Sequence, residues 1–528
     1  MDSAFVLPHP ASMGASCILG LLLLTILRAL LIPKKALPLA INHHRWDIFN
    51  RRAIQDFTAN PQDLIKAGLK KVIDPKIAPR FAKGTFLVLP ERYSEEVKND
   101  ERFSAYEALS RSSPQIILLE LPGFESVFEG LMHNDVVLPG VAAMNRQLAS
   151  LTSPMSEEVS HYLQTNWTDD PDWHTQSVSA SMSGLIGQAA ARIIVGPELC
   201  RNKEYHAITL SYTMSRGRAL AAIHAWPRAL HPLIHWFLPS CRNVRTQIRR
   251  AEKLITPILE RTRRARARGD PPQAFSTLAW SDEYARAQGR SYNATLAQMR
   301  FTSSSIHNTS DLLGKVMLRI CQRPDLIEPL RREIVAAFDG GSGAQHHSLG
   351  KLKLMESVMK ETQRLEPAAE RVSYPPPLTP ERLTGYSIVN MFRVAKETVT
   401  LSDGTTIPKG TIFGFSYQNR FDPSMYPDPE TFDPYRFMRM RQDPVQASLA
   451  SFTKARSTHL SFGLGRHACP GRFMANDMIK LALSHILLKY DFKLVGEELP
   501  KLEMHGFVYA REPTAQILVR RRQEEVVL

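Results

Sequence analysis

Cysteine is scarce in this chain of 528 residues: the five present, Cys17, Cys200, Cys241, Cys321 and Cys469, are odd in number, widely scattered and never in a Cys-x-x-Cys pair. That argues against a disulfide framework and a zinc site, and for a reducing compartment. The chain also lacks internal repeats, low-complexity tracts and, after about residue 60, any linker-like change in composition. The three domains that length alone would suggest give way to one large, mostly helical domain. A hydrophobic share of 43% is ample for its core. A groove-binding motif and an aromatic stacking platform are missing too. Without them, the net charge of +14 and the basic runs at 242–250 and 261–268 give little support to nucleic-acid binding. A solvated helix face accounts for those runs most simply; a membrane-proximal basic surface and attraction of an acidic partner are the alternatives.

The amino end carries an apolar stretch at 13–32, about 20 residues long, enough to span a bilayer as a helix. Arg28 interrupts it near its end, where a long side chain snorkels to the head groups. Arg28, Lys34 and Lys35 place positive charge after the span, whereas residues 1–10 hold only Asp2, so the rest of the chain is expected to face the cytosol. A cleaved signal peptide would want a basic start and a small-residue cleavage site, and neither is found. The sequons at Asn166, Asn293 and Asn308 are then chance matches. The expected organisation is an anchor at 1–35, a Pro- and Asn-punctuated connector at 36–60 and a domain at 61–528.

Near the carboxyl end, Phe462-Gly463-Leu464-Gly465-Arg466-His467-Ala468-Cys469-Pro470-Gly471 surrounds one cysteine with glycines, an aromatic ring and two cationic side chains, then opens a helical run near Phe473. A lone cysteine is usually a small buried hydrophobe. Here the glycines let the backbone pass close beneath a flat cofactor, and amide N–H groups at a helix start favour a thiolate able to hold a metal.

This loop resembles that of the cytochrome P-450 superfamily, which reads Phe-x-x-Gly-x-Arg/His-x-Cys-x-Gly. The resemblance implies a mostly α fold with small β-sheets and haem b as cofactor. It makes Cys469 the axial ligand of the iron, with Phe462 near the sulfur and His467 at a propionate. It also implies a second propionate contact, for which Arg393 is the candidate. Electrons would come from NADPH through a flavoprotein, the NADPH-cytochrome P-450 reductase, at the endoplasmic reticulum membrane.

Three further segments agree in order and spacing. Glu361 and Arg364 sit three apart on one helix face, and Phe432-Asp433-Pro434-Tyr435-Arg436-Phe437 resembles the segment whose arginine joins them in a buried network. The third is the polar belt from Ser303 to Asp311 on an apolar-periodic stretch at about 296–320. Mid-helix Ser and Thr are mostly bonded back to the preceding turn. By resemblance, however, Thr309 lies over the haem and relays protons to dioxygen. The family usually places an acid just before this threonine, and here the position is Asn308. His307 reads as a pocket or packing residue.

Resemblance to the fungal secondary-metabolism branch that includes ent-kaurene oxidases covers nearly the whole chain, through Leu89-Pro90-Glu91-Arg92-Tyr93, Leu121-Pro122-Gly123-Phe124-Glu125 and His235-Trp236-Phe237-Leu238-Pro239. It implies a lipophilic substrate, a terpenoid or alkaloid skeleton. Two rivals stand beside the monooxygenase: a reductase-independent haem-thiolate isomerase or dehydratase, and a non-catalytic, haem-poor protein. Two departures from the family occur. Around 145–152 no tryptophan and arginine pair is found for a propionate. At about 371–389 the connection is longer than in relatives by about 20 residues, unusual for a compact domain. That segment reads either as a surface loop with a polyproline run at Pro375–Pro377 or as a translated intron, since Val372-Ser373 can be encoded by the splice donor GTGAGT. Elsewhere the pattern predicts helices at 64–72, at 93–102 and through most of 156–268, a strand at 84–89 and a turn at Asp403-Gly404.

Overall fold

The structure is a computed structural model; it describes residues 80–81, 84–85 and most of 87–528. Residues 1–79 other than Arg52 and Asp56, the segments 113–120, 125–135 and 368–384, and stretches of one to four residues elsewhere lie outside the described residues. The expected span at 13–32, the connector, the helix at 64–72 and most of 371–389 fall there. Among the described residues, no helix is long and apolar enough to cross a membrane.

The fold is mostly α with small sheets. Its main helices are α1 (Val137–Arg146), α2 (Leu148–Asn166), α3 (Val178–Ile194), α4 (Lys203–His224), α5 (Pro239–Ala267), α6 (Thr277–Ala287), α7 (Ala294–Gln322), α8 (Ile327–Phe338), α9 (Lys353–Leu365) and α10 (Arg472–Lys489). Helix α7 is the axis of the molecule. Asn293 caps it, Oδ1 accepting from Leu296 N at 3.0 Å, which satisfies one of the orphan donors of the first turn. Its apolar residues are buried nearly all round, among them Met299, Ile306, Leu313, Val316 and Ile320, because α3, α4, α5, α9 and α10 pack against it. Each such side chain contributes roughly 1.5–3 kcal/mol of burial.

A second, smaller core forms on a sheet of β1 (Leu87–Leu89), β2 (Phe103–Ser104), β4 (Val389–Ala395) and β5 (Ile412–Ser416), in the order β1-β5-β4-β2. β1 runs parallel to β5, with Leu87 opposite Phe413, and β5 runs antiparallel to β4, with Phe413 opposite Arg393. Leu460 and Leu464 belong to this core, whereas Met474 and Met478 of α10 belong to the helical one. The cysteine loop therefore bridges the two cores. Between them in sequence, β3 (Gly385–Ser387) pairs with Val508–Ala510, so the last part of the 371–389 segment is a strand.

Other expectations are met or changed in detail. The helix expected at 93–102 is a 3-10 turn at Glu91–Tyr93 and a single helical turn at Ser94–Val97. Asp100 Oδ1 takes the Arg102 N–H at 2.9 Å and closes a turn in competition with the helix. The Asp403-Gly404 turn is as expected, with Gly404 at φ 83 and Leu401 N donating to Thr405 O at 2.7 Å. The second basic run of α5 is largely paired, Arg261 with Glu198, Arg264 with Glu260 and Arg263 with Asp282, whereas in the first run Arg250 pairs with Glu204 and Arg242 and Arg245 bond backbone carbonyls. The described cysteines, Cys200, Cys241, Cys321 and Cys469, are free thiols.

Candidate active site

The cysteine loop is closed by its own backbone. Leu460–Phe462 form a 3-10 turn, and the Phe462 carbonyl accepts from Cys469 N–H at 2.8 Å. Gly463 and Gly465 take φ of 68 and 70, where a side chain is strained. Position 465 has a second reason to be glycine: a β-carbon there would stand 2.9 Å from the Lys98 carbonyl and 2.5 Å from Asn99 Oδ1. The Phe462 ring meets Phe452 edge-on, centroids 5.2 Å apart. Cys469 is exposed and stands three residues before the first residue of α10. Its carbonyl accepts from Arg472 Nη1 at 2.6 Å, and the Pro470 carbonyl accepts from Asn145 Nδ2 at 2.9 Å. The region where no tryptophan and arginine pair was found thus anchors the loop through an asparagine. Burial lowers the Arg472 pKa, and the Cys469 sulfur opposes that shift. A thiolate in this place has a helix start and a guanidinium beside it.

Basic side chains gather next to the loop. Arg393, on β4, is 4% exposed and donates from Nη1 to its neighbour's carbonyl, Phe392 O, at 2.9 Å. His467 is held below its ordinary pKa first by burial, then by the positive charges of Arg393 and Arg466, so the two sequence candidates are brought together. Arg466 donates from Nε to His467 Nε2 at 3.3 Å and from Nη1 to Glu101 Oε1 at 3.0 Å. An imidazole and a guanidinium sharing a partly buried site make a natural seat for carboxylates.

On α7, the expected back-bonding holds for most of the polar belt. Thr302 donates to Gln298 O, Ser303 to Met299 O, Ser305 to Phe301 O and Ser310 to His307 O, at 2.7–3.1 Å. Thr309 is different. It is 6% exposed, and among the described residues its hydroxyl has no hydrogen-bond partner, which leaves it available to a ligand. Asn308 beside it is exposed.

The buried network predicted around Glu361 is complete. Arg364 donates to both carboxylate oxygens at 2.8 and 2.7 Å, and Arg436 Nε reaches Oε1 at 3.1 Å. The remaining guanidinium protons find backbone carbonyls at Pro429 and Pro427, both at 2.6 Å. Neither arginine exceeds 5% side-chain exposure and Glu361 has none. Removing one partner would leave a buried charge unpaired, a loss of about 3–5 kcal/mol.

Sequence reasoning missed Asn390 and Met391. Met391 sits at φ 53, in the left-handed region uncommon for a bulky residue, where the β4–β5 register is irregular. Asn390 holds this bulge, Oδ1 accepting from Met391 N at 2.7 Å and Nδ2 donating to Leu460 O at 2.6 Å. No local pattern in β4 marks such a bulge; only the position of Asn390 three residues before strand-borne Arg393 hints at it.

A family model described as Cytochrome P450 matches residues 141–374 and 382–519. Among curated proteins, the chain is 47% identical to the cytochrome P450 monooxygenase roqO of Penicillium rubens over 518 residues, 98% of each chain. It is 46% identical to the fumitremorgin C monooxygenase of Neosartorya fischeri over 527 residues, 99% of this chain and 98% of that one. It is 44% identical to the cytochrome P450 monooxygenase notH of an Aspergillus species over 529 residues, 100% and 99%. Among solved structures, a retinoic acid-bound cyanobacterial CYP120A1 superposes with a TM-score of 0.59 at 16% identity, covering 89% of this chain and 96% of that one.

Proposed function

The chain belongs to the cytochrome P450 family of monooxygenases, and from that premise we propose that it oxidises a bulky lipophilic metabolite of alkaloid or terpenoid type with electrons from an NADPH-dependent reductase. The observations that carry the reading are the exposed Cys469 just before α10, Arg393 and His467 beside its loop, and the buried Thr309 hydroxyl in the polar belt of α7. These residues fit haem. Cys469 would hold its iron and Phe462 would flank the sulfur, while Arg393 and His467 would meet its carboxylates. When bound, haem supplies dioxygen activation and oxygen insertion.

The chain's own residues do the rest. The Glu361 network ties α9 to the segment around Pro427, Pro429 and Arg436. Thr309 holds a proton at Oγ1 and passes it into the site. Asn308 orients water beside it, since an amide hydrogen-bonds but does not titrate. A relative named for fumitremorgin C favours the alkaloid side of the substrate reading.

The reading includes the endoplasmic reticulum membrane, with the domain facing the cytosol. The apolar stretch at 13–32 supports it. So do Trp226, Leu230, Leu233, Trp236 and Phe237, which expose 43–62% of their surface within one short segment, an apolar patch that suits a bilayer interface. Co-expression with a reductase, under labelled dioxygen, tests the activity: product should need NADPH and carry one labelled oxygen. Turnover without NADPH would overturn it in favour of a reductase-independent isomerase.

A further inference from the structure

Where the carboxyl end of α5 meets α6, a cavity of about 440 Å3 is lined by Arg263, Arg266, Asp282, Arg286, Arg290 and Tyr292. The other arginines of this run are neutralised one by one: Arg261 by Glu198, Arg264 by Glu260 and Arg268 by Asp270. Within the cavity, four arginines line the wall beside a single buried carboxylate, which pairs with two of them. Asp282, 5% exposed, accepts from Arg263 on Oδ1 at 3.0 and 2.6 Å and from Arg266 on Oδ2 at 3.1 Å. Glu283, 3.6 Å from Arg266, is 64% exposed in its side chain and adds only a screened charge at the rim.

Arg286 and Arg290 make no ion pair among the described residues, and both are exposed. Backbone geometry brings them to the same place. Arg286 lies one turn after Asp282 on α6, and Gly289, at φ 60, turns the chain so that Arg290 N–H bonds Ala285 O at 2.8 Å. The Tyr292 hydroxyl is buried and has no hydrogen-bond partner among the described residues. Burial first, then Asp282, push its pKa up, so it stays a proton donor.

We propose that this cavity binds a phosphate-bearing anion of diphosphate size. Asp282 aligns the Arg263 and Arg266 forks, Arg286 and Arg290 supply the charge that Asp282 leaves over, and the Tyr292 hydroxyl donates to a phosphate oxygen. Guanidinium forks match phosphate oxygens two at a time, and the volume lies in the lower part of the range of about 300–1,000 Å3 of small-ligand sites. The phosphate belongs either to a free diphosphate or to a lipid head group.

The test uses the full-length haem-loaded protein. Pyrophosphate is titrated calorimetrically at constant ionic strength, and flotation is measured with phosphatidylcholine vesicles with and without phosphatidic acid. Saturable one-to-one binding of pyrophosphate that weakens at least tenfold in the Arg286→Glu/Arg290→Glu variant, at unchanged haem content, identifies a free diphosphate. Loss in that variant of the phosphatidic acid-dependent part of flotation alone identifies the head group. The Arg286→Gln/Arg290→Gln variant, which removes charge without reversing it, should show a smaller loss in the same arm. No saturable binding in either arm, or equal binding by wild type and both variants, overturns the proposal.

Discussion

Asn390 Nδ2 donates to the Leu460 carbonyl at 2.6 Å, so one side chain ties the bulge of β4 to the turn that begins the cysteine loop. Its Oδ1 holds the Met391 N–H at the same time, and Arg393 lies two residues further on the strand. Asn390→Ala removes both bonds and leaves partly buried backbone groups unpaired, at a loss of about 1–3 kcal/mol. The variant should melt earlier and lose haem on gel filtration. Wild-type haem retention with an unshifted Tm would show that the tether does not position the loop.

Much of the site was legible because it is written in contiguous residues. The cysteine loop, the Glu361–Arg364 pair and the polar belt of α7 are local motifs whose spacing fixes their geometry. Asn390, Met391 and Asn145 were not legible. Their roles come from contacts across the chain, to Leu460, to a β-bulge and to Pro470, and no short-range periodicity encodes a long-range hydrogen bond. The helix expected at 93–102 failed for a local reason, because the Asp100 side chain competes for the Arg102 amide. The pairings of Arg250, Arg261 and Arg263 also needed the fold, since Glu204, Glu198 and Asp282 come from outside α5.

Acid stability has a definite carrier. Burial alone would raise the Glu356 pKa, but Lys480 and Arg441, together with the Phe452 amide, hold it at about 2. Its ordinary value is 4.5, so its contribution is fully present above that pH and is lost as pH falls toward 2. A shift of this size corresponds to about 3 kcal/mol. Glu356→Gln should lower stability at pH 7 and flatten the decline of Tm between pH 5 and 3; an unchanged acid limb would contradict this role.

Thr309→Ala should leave haem content near wild type while product per NADPH falls several-fold and hydrogen peroxide rises, because the proton at Oγ1 is lost and the fold is not. Coupling at the wild-type level would remove Thr309 from the proton path. Asn308→Asp places a titrating group where the amide now stands, and it should raise coupling.

The two readings of 371–389 make opposite predictions for the messenger. Gly385–Ser387 pair with Val508–Ala510, which weighs toward a genuine connection, while the family match passes over 375–381. The strand pairing predicts that the main transcript retains the segment. A main transcript running directly from near Glu370 to Met391 would instead establish a translated intron.

Thiolate ligation by Cys469 underlies every other role proposed for the site. The measurement is the difference spectrum of the reduced carbon monoxide complex in wild type and Cys469→Ser, with total haem quantified separately. A far-red-shifted Soret band in wild type that disappears in the variant is the expected result, because a hydroxyl does not supply thiolate donation. Retention of that band in Cys469→Ser would rule out ligation by this cysteine.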